Sequence, residues 1–402
     1  MNLIRTRLPQ VALYLPTSVK TCRELLRGIL QFVHLHGPWT VHIIEGPDGE
    51  RKLVHPEAWG CTGLIADLES CVQCPKALLS ANVPMILTHP SDDLLRSNRS
   101  LAKLSRVVCD NLPIGMRAAE YFLDLKYRNF AFVGQVNDAL WSEQRKIAFC
   151  TCLAKSGFSC SIYPRLTHIF RKNFSLEQAR LCTWLKSLQK PVAILVANDV
   201  RAQQVLNSCV KAGLAVPHEV AVLGVDNDEL LCETTNPQLS SIKMSTEHAG
   251  FEAARVLDGI MRCNRNTKFH RTIITYGFLN LVTRRSTEVL QISDLLVART
   301  TEFIRINAGI SITVGDIVNH LGASRRLLET RFKSVMGRTI YAEIMRVRLE
   351  RVQTLLRQST MTIDDIADSC GFSSASHLCT LFKLHFYITP SAYRRQTQEM
   401  AD

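Results

Sequence analysis

The chain has 402 residues, with 48 Lys and Arg against 36 Asp and Glu and a net charge of +12. That length fits two or three domains, and a hydrophobic fraction of 46% provides ample core for them. No run of 18 apolar residues exists, so the sequence excludes a membrane helix of ordinary length. The positive charge suits a polyanionic partner, although a merely basic soluble protein fits it nearly as well.

The N-terminal end and the cysteines bear on the compartment. No apolar segment of the length of a secretion signal precedes Pro9, so we expect a cytoplasmic protein whose 14 cysteines are reduced. The close pairs Cys71/Cys74 and Cys150/Cys152 lack a partner pair at metal-binding spacing. We predict ordinary thiols, no metal and no cofactor, with a redox pair at Cys71/Cys74 as the alternative.

Short apolar runs alternate with helical patterns from residue 11 to about residue 280. Strands are predicted at 11–15, 40–45, 63–66, 85–87, 130–134, 193–197 and 220–225. Helices are predicted at 19–36, 114–126, 141–156, 175–189 and 200–212. Such alternation is typical of α/β domains with mostly parallel strands. We predict two α/β lobes in one ligand-binding domain, residues 1–280.

The sequence changes character near Glu288. Beyond it there are no convincing strands, and the remainder is helical with short breaks at glycines and at Pro390. We therefore predict a linker over 281–291 and an all-α domain over 292–402.

The helical domain contains an internal repeat. Residues 316–322 (DIVNHLG) resemble residues 365–371 (DIADSCG), and a serine stands two residues after each glycine, Ser324 and Ser373. The pattern of a helix, a tight glycine turn and a second helix thus occurs twice, which predicts two helix-turn-helix units. We expect each serine to cap the second helix of its unit.

A helix that enters the major groove N-terminus first presents its early residues to the bases. Candidate DNA contacts in the first unit are Ser324, Arg325, Arg326 and Arg331, and those in the second are Ser373, Ser374, Ser376, His377 and Lys383. Nine basic against three acidic residues lie between Leu321 and Gln358, whereas the second unit is near neutral. We expect the first unit to provide more of the phosphate affinity. The alternative is a helical interaction domain with a solvated basic face.

The tail resembles the AraC-family DNA-binding domain over residues 294–395. The second half of that family's signature is nearly complete: Ile366-Ala367, Cys370-Gly371-Phe372-Ser373, Ser376, Leu381-Phe382-Lys383 and Thr389-Pro390-Ser391-Ala392-Tyr393-Arg394. Tyr387 stands where family members usually have glycine. The resemblance implies the fold, and this departure implies a reshaped turn.

Residues 10–280 resemble the regulatory core of LacI regulators and periplasmic binding proteins. The matching motifs are Asp110-Asn111, Phe130-Ala-Phe-Val-Gly134, Trp141-Ser142 with Arg145, Ala197-Asn198-Asp199 and Gly224-Val-Asp226. LacI regulators carry a DNA-binding headpiece before this core, and here an AraC-like tail takes its place. This combination resembles regulators of pentose-utilisation operons and implies a pentose effector such as D-xylose.

Sugar recognition explains why polar residues follow the predicted strands. Carboxylates and amides satisfy the hydroxyls of a sugar, and an aromatic ring covers its apolar face. The carboxyl ends of strands line the cleft of a two-lobed α/β protein. Candidate ligand residues are Trp141, Arg145, Asn198, Asp199, Asp226 and, more weakly, Asp110. The alternative for any one of them is a turn residue, a helix cap or a core side chain.

These features predict a two-lobed sugar-sensing domain followed by a double helix-turn-helix domain. We expect a homodimeric transcription activator with operator DNA, a sugar effector and RNA polymerase as partners. A regulator of the same architecture with a non-pentose or non-sugar effector is the alternative. A sugar-processing enzyme is a weaker one, because the chain contains no nucleophile elbow, phosphate-binding loop or HExxH motif.

Overall fold

The computed structural model describes residues 8–45, 52–53, 55–67, 83–136, 139–164, 173–262, 271–288, 294–359 and 361–399. The chain forms two compact units. The first comprises Met1–Val205 with Val222–Ser286, and the second comprises Leu206–Ala221 with Thr287–Asp402.

The first unit contains two six-stranded sheets, one in each lobe. The sheet of the first lobe has the order β11-β5-β4-β3-β1-β2 and is parallel throughout. Its strands are β1 (Gln10–Tyr14), β2 (Thr40–Ile43), β3 (Gly63–Asp67), β4 (Met85–Thr88), β5 (Ser105–Cys109) and β11 (Ile273–Tyr276). The central strands β3 and β4 are entirely buried, as expected of apolar runs in a parallel sheet with both faces covered.

Two long helices of the first lobe pack closely against each other. They are α1 (Lys20–His36) and α8 (Thr246–Arg262), and a short helix α2 (Asp92–Ser97) follows β4. A Cβ atom on Gly28 would lie 1.8 Å from the Glu247 carbonyl oxygen, and one on Gly250 would lie 2.1 Å from that of Leu25. Only glycine at these two positions permits this approach.

The second lobe has the sheet order β12-β10-β9-β8-β6-β7. Its strands are β6 (Asn129–Val133), β7 (Cys160–Ile162), β8 (Val192–Val196), β9 (Val220–Val225), β10 (Ser240–Met244) and β12 (Phe278–Val282). Strand β12 runs antiparallel to β10, whereas β6 runs parallel to both its neighbours. The helices of this lobe are α3 (Leu112–Asp124), α4 (Leu140–Lys155), α5 (Phe174–Ser187), α6 (Asp199–Ala212) and α7 (Glu229–Thr234).

The chain passes between the lobes at three adjoining points. The Asp110 amide donates to the Tyr276 carbonyl at 2.7 Å, and the Ser245 amide donates to the Gly277 carbonyl at 2.9 Å. A Cβ atom on Gly277 would lie 2.9 Å from the Asp110 carbonyl oxygen. These three crossings form a hinge, and a hinge of this kind allows two lobes to close on a ligand.

The helical part of the second unit has its own core. Its helices are α9 (Leu295–Ile306), α10 (Val314–Leu321), α11 (Arg325–Met336), α12 (Ile340–Gln358), α13 (Ile363–Ser369), α14 (Ala375–Phe386) and α15 (Pro390–Glu399). The buried residues of this core include Ile317, Leu328, Phe332, Ile366, Leu378 and Phe382. Helices α10 and α13 both begin with a capping box, Thr313 with Asp316 and Thr362 with Asp365.

The fold class predicted from the sequence is confirmed. Among the described residues of the first unit, the sequence patterns missed eight elements: strands β5, β7, β10, β11 and β12 and helices α2, α7 and α8. Strand β12 runs to Val282, and Ser286 and Thr287 are buried, while residues 289–293 lie outside the described part. The boundaries 1–280, 281–291 and 292–402 therefore remain predictions. The Cys71/Cys74 pair also lies outside the described residues.

Candidate functional site

Arg145 lies at the centre of a polar cluster in the second lobe. Helix α4 begins after strand β6, and its first turns place Trp141 and Arg145 on the same face. The guanidinium carbon lies 4.8 Å from the centroid of a Trp141 ring, within cation–π range. Arg145 is 4% exposed, and its Nε and Nη1 donate to Asn111 Oδ1 at 3.0 Å and to the Ala197 carbonyl at 2.6 Å. These bonds fix the guanidinium at the carboxyl end of the sheet.

Asp226 follows β9 in a left-handed backbone conformation with φ of 113°. Burial raises the pKa of the Asp226 carboxyl, while the charges of Arg145 and Lys20 lower it. The Lys20 Nζ comes from the first lobe and donates to the Asp226 backbone carbonyl at 3.4 Å. Trp141, Arg145 and Asp226 are thus brought together at the carboxyl ends of the strands of the second sheet. Lys20 of the first lobe reaches the same place.

Asp199 is buried beside Asp226, but its oxygens are already engaged. They accept from Ser241 Oγ at 2.6 Å and from the Asp228 amide at 2.8 Å. Burial, followed by the negative charge of Asp226, raises the pKa of the Asp199 carboxyl. Asp199 therefore holds the loop that follows β9, and it acts on the cluster through Asp226.

Asn198 and Asp110 occupy helix starts. Asn198 Oδ1 accepts from the Arg201 amide at 3.0 Å and caps α6. Asp110 is exposed at the hinge, and its Oδ1 accepts from the Leu112 amide at 3.2 Å. The residue that reaches the cluster from this segment is the neighbour, Asn111, which is 4% exposed and contacts Arg145.

The acidic pair predicts that the free energy of unfolding falls as pH rises above the ordinary carboxyl range. Both carboxyls have a folded-state pKa above the unfolded value, so the unfolded chain releases protons that the folded protein retains. An Asp199→Asn variant should lose less stability between about pH 5 and about pH 8, because its amide carries no charge. Urea unfolding at both pH values measures this, and an unchanged pH dependence would contradict it.

Sequence reasoning missed a polar triad in the first lobe. Asp67 ends β3, His89 follows β4, and Tyr276 ends β11. His89 Nδ1 lies 3.0 Å from Asp67 Oδ1, and His89 Nε2 lies 2.6 Å from the Tyr276 hydroxyl. Burial raises the pKa of Tyr276, whose hydroxyl stays neutral, and the charges of Arg145 and Asp226 also act on this pKa. Asp67 and His89 end or follow strands that the sequence pattern showed, which is the signal that would have found them, whereas Tyr276 ends a strand that it did not show.

An ion pair joins the two lobes close to Asp226. Arg23 on α1 donates from Nη2 to Asp228 Oδ2 at 2.7 Å. Its Nη1 donates to the carbonyls of Thr17 and Ser18 at 2.9 and 3.0 Å. Asp228 is the residue whose amide binds Asp199, so the pair connects α1 to the loop after β9.

The first helix-turn-helix unit consists of α10 and α11. Gly322 ends α10 in the left-handed region with φ of 62°, and the Ser324 hydroxyl accepts from the Leu327 amide at 3.3 Å as the cap of α11. Ser324, Arg325 and Arg326 are exposed together at the start of α11. Arg325 Nε pairs with Glu329 Oε1 at 2.9 Å on the same helix. This exposed first turn is the arrangement that major-groove recognition requires.

Arg331 lies two turns further along α11 and faces a different neighbour. Its Nη1 is 3.4 Å from Asp294 Oδ2, and Asp294 caps α9.

Arg348, on α12, stabilises the helical domain and is not available to DNA. Arg348 is 5% exposed and donates to the carbonyls of Ile310 and Ile312.

The second unit consists of α13 and α14. The prediction that Ser373 caps its second helix is wrong, because the Ser374 hydroxyl accepts from the His377 amide at 3.2 Å. The extra residue of this repeat shifts the cap by one position. Ser373 Oγ instead lies 3.1 Å from His377 Nδ1. Ser373, Ser374 and Ser376 are exposed, and so is Lys383 two turns further along.

Tyr387 ends α14 in the conformation that glycine favours. It has φ of 60° and is 91% exposed, while Gly337 ends α11 with φ of 68°. A side chain in this region costs about 1–2 kcal/mol. We expect Tyr387→Gly to raise the free energy of unfolding by about 1 kcal/mol, after the greater flexibility of unfolded glycine is offset. Urea unfolding measures this, with Gly337→Tyr as the opposite control that should destabilise. A destabilised Tyr387→Gly would contradict the prediction.

The described residues contain neither a candidate membrane span nor a cluster of metal ligands. No helix there is long and apolar enough to span a membrane. No group of three or more His, Cys, Asp and Glu side chains within the same residues could hold a metal ion.

Comparisons with known proteins agree with this architecture. A periplasmic binding protein-like domain model matches residues 119–287, and a helix-turn-helix domain model matches residues 317–396. The xylose operon regulatory protein of Haemophilus influenzae is 32% identical over 290 residues, which are 72% of this chain and 74% of the relative. Its Escherichia coli K12 counterpart is 27% identical over 381 residues, 94% of this chain and 95% of the relative.

A solved structure extends the likeness to nearly the whole chain. The structure of a xylose-binding transcription activator, xylR, has a TM-score of 0.76 and 25% identity, and the match covers 97% of this chain and 98% of that one. The fold and the relatives together define a DNA-binding, sugar-responsive transcription regulator, not an enzyme. The chain belongs to the family of xylose operon regulatory proteins.

Proposed function

We propose that this regulator activates a pentose-utilisation operon and that its effector is D-xylose, bound between the two lobes. The observation that carries the proposal is the cluster of Trp141, Arg145 and Asp226, which Lys20 reaches from the opposite lobe. A ring, a fixed cation and a carboxylate are the groups that a small polyhydroxyl ligand needs. The choice of D-xylose follows the relatives, which are named for that sugar.

The ligand residues within this proposal fall into two groups. Trp141, Arg145 and Asp226 contact the sugar, and Asp199 and Asn198 hold the loops around it. Asp110 belongs to the hinge. We add the first-lobe triad of Asp67, His89 and Tyr276, whose hydrogen-bonding groups are held at the ends of the facing strands.

For DNA, the proposal assigns base contacts to the exposed starts of α11 and α14, namely Ser324, Arg325, Arg326, Ser373, Ser374, Ser376 and His377. Lys383 and Arg331 remain candidates for phosphate. A cytoplasmic homodimer would present four such helices to a repeated operator. Activation implies a contact with RNA polymerase.

A thermal-shift scan against pentoses and hexoses tests the effector. A bound sugar at 100 times its Kd stabilises the protein by about 2.7 kcal/mol. We expect a shift with D-xylose that exceeds the shifts with the other sugars. No shift with any sugar would favour a non-sugar effector. A reporter placed behind the operator tests the sign, because a sugar that leaves its output unchanged contradicts activation.

The Arg23–Asp228 pair gives a prediction about closure. If the pair forms only when the lobes are closed, Arg23→Met shifts the equilibrium to the open form. The pair is partly exposed, so we expect Kd for D-xylose to rise about two- to fivefold. Titration calorimetry measures this, with exposed Arg27 on the same helix as the control position. An unchanged Kd in Arg23→Met means that the pair forms in both states.

A further inference from the structure

The second compact unit contains a segment of the sequence that lies far from its helices in the chain. This segment, Leu206–Ala221, comprises the last part of α6 and the connection to β9. Within the unit it contacts α9, the first helix after the predicted linker. That contact is made by a salt bridge between Glu219 and Arg299.

The salt bridge is bidentate and tied to the backbone. Arg299 Nη2 donates to Glu219 Oε1 at 2.8 Å, and Arg299 Nε donates to Oε2 at 3.3 Å. The Ala215 amide also donates to Oε2, at 2.9 Å. The Glu219 side chain is 6% exposed and that of Arg299 is 43% exposed. Separation of the two side chains would leave the buried Glu219 carboxylate without a cation, which costs free energy. The strength of the salt bridge therefore depends on the relative position of Glu219 and Arg299.

The chain segment around Glu219 is mostly buried. Ala215, Val216 and Pro217 are buried. Burial and the nearby charge of Arg305 hold the pKa of His218 at about 4, so the imidazole beside the pair is neutral at ordinary pH. Water therefore has little access to the Glu219 carboxylate, although it reaches the Arg299 side of the pair.

Two rigid elements lead from Glu219 back to the candidate sugar site. Strand β9 begins directly after Glu219 and ends directly before Asp226. Helix α6 begins at Asp199 and ends three residues before Ala215. Six strand residues and fourteen helical residues each span about 20 Å. The cleft ends of both elements are joined because the Asp199 carboxyl oxygens accept from the Asp228 amide and from Ser241.

We propose that the Glu219–Arg299 salt bridge couples sugar binding to DNA binding. The proposal rests on the sugar-sensing function proposed above. A sugar that hydrogen-bonds to Asp226 displaces the start of the loop after β9. The buried strand carries that displacement to Glu219, because packed cores are not continuously deformable. The bidentate pair then transfers it to α9. Glu219 and Arg299 are positioning residues, since neither touches sugar or DNA.

The test measures operator affinity of the full chain with and without D-xylose. The operator is selected in vitro by the wild-type protein from a random duplex pool, and affinity is followed by fluorescence anisotropy. Couplings of this kind change affinity about 5- to 150-fold. We expect Glu219→Gln, Arg299→Met and the double variant each to reduce the sugar effect to about twofold or less. The double variant should lose no more than either single variant, because both remove one interaction.

Two further readouts separate coupling from a merely structural role. The Kd of the free protein for D-xylose should stay at the wild-type value, because the cleft is unaltered. By reciprocity, operator DNA should no longer change that Kd in the variants, although it does in the wild type. Arg299→Lys, which keeps the charge on a half-exposed side chain, should fold normally and retain part of the sugar effect. Arg255→Met, in the exposed pair with Glu252 on α8, is the matched control and should behave as wild type.

Each other outcome overturns the inference. Variants that fold and keep the full sugar effect on operator affinity show that the coupling runs elsewhere. Variants that lose sugar binding itself show that the salt bridge supports the cleft instead of transmitting its state. A wild-type protein with no response to D-xylose, in stability or in operator affinity, refutes the proposed effector and this inference with it.

Discussion

Replacing Arg145 with alanine should raise Kd for the sugar at least about 100-fold, because hydrogen bonds between a charged guanidinium and sugar hydroxyls contribute about 1.5–3 kcal/mol each. The substitution leaves the Asn111 side-chain oxygen and the Ala197 carbonyl without their donor. It also removes the positive charge that lowers the pKa of Asp226. The carboxyl of Asp226 then holds its proton to higher pH and becomes a poorer acceptor for sugar hydroxyls.

The measurement combines titration calorimetry with thermal unfolding in the absence of sugar. Arg145→Ala should itself lower stability, so loss of binding is meaningful only where the variant remains folded at the assay temperature. Arg145→Lys keeps the charge but cannot make both bonds at once, and an intermediate affinity is expected. Arg255→Ala, on an exposed helical face, is the control for the removal of an arginine. A folded Arg145→Ala protein with wild-type affinity would place the sugar elsewhere.

The sequence predicted the second-lobe cluster because its members stand close to strand ends that are visible as apolar runs. Trp141 and Arg145 open the helix after β6, and Asp226 directly follows β9. The same rule would have found Asp67, but its partner Tyr276 ends β11, a strand that the pattern did not reveal. That strand pairs with β5, more than 160 residues earlier in the chain. Such a neighbour is fixed by the folded sheet and not by local sequence.

Local chemistry also limited the prediction of individual roles. An aspartate after a strand fits a ligand site and a loop anchor equally well, and the contacts of Asp199 with Ser241 and Asp228 exist only once β9 and β10 are paired. In the second repeat, one inserted residue moved the helix cap from Ser373 to Ser374. Two adjacent serines offer the same hydroxyl, so only the backbone conformation decides which one caps.

The start of α11 should dominate operator binding. A bidentate contact between arginine and a base contributes about 1–3 kcal/mol, so Arg326→Ala is expected to weaken operator affinity about 5- to 150-fold. Arg325→Ala should have a smaller effect, because Arg325 must first leave its pair with Glu329. The second unit, whose second helix carries no Lys or Arg before Lys383, should tolerate Ser376→Ala with a change of about threefold or less.

Salt dependence distinguishes a base contact from a phosphate contact at these positions. Loss of one phosphate contact lowers the slope of log affinity against log salt by about 1 and weakens all sequences alike. If Arg326 reads a base, its alanine variant loses discrimination at one operator position. Lys333, exposed on the same helix two turns further on, is the matched control. Equal losses in Lys333→Ala and Arg326→Ala, with sequence preference intact, would mean that α11 lies along the backbone. The specificity would then reside in the nearly neutral α14, where serines and one histidine would have to read the bases.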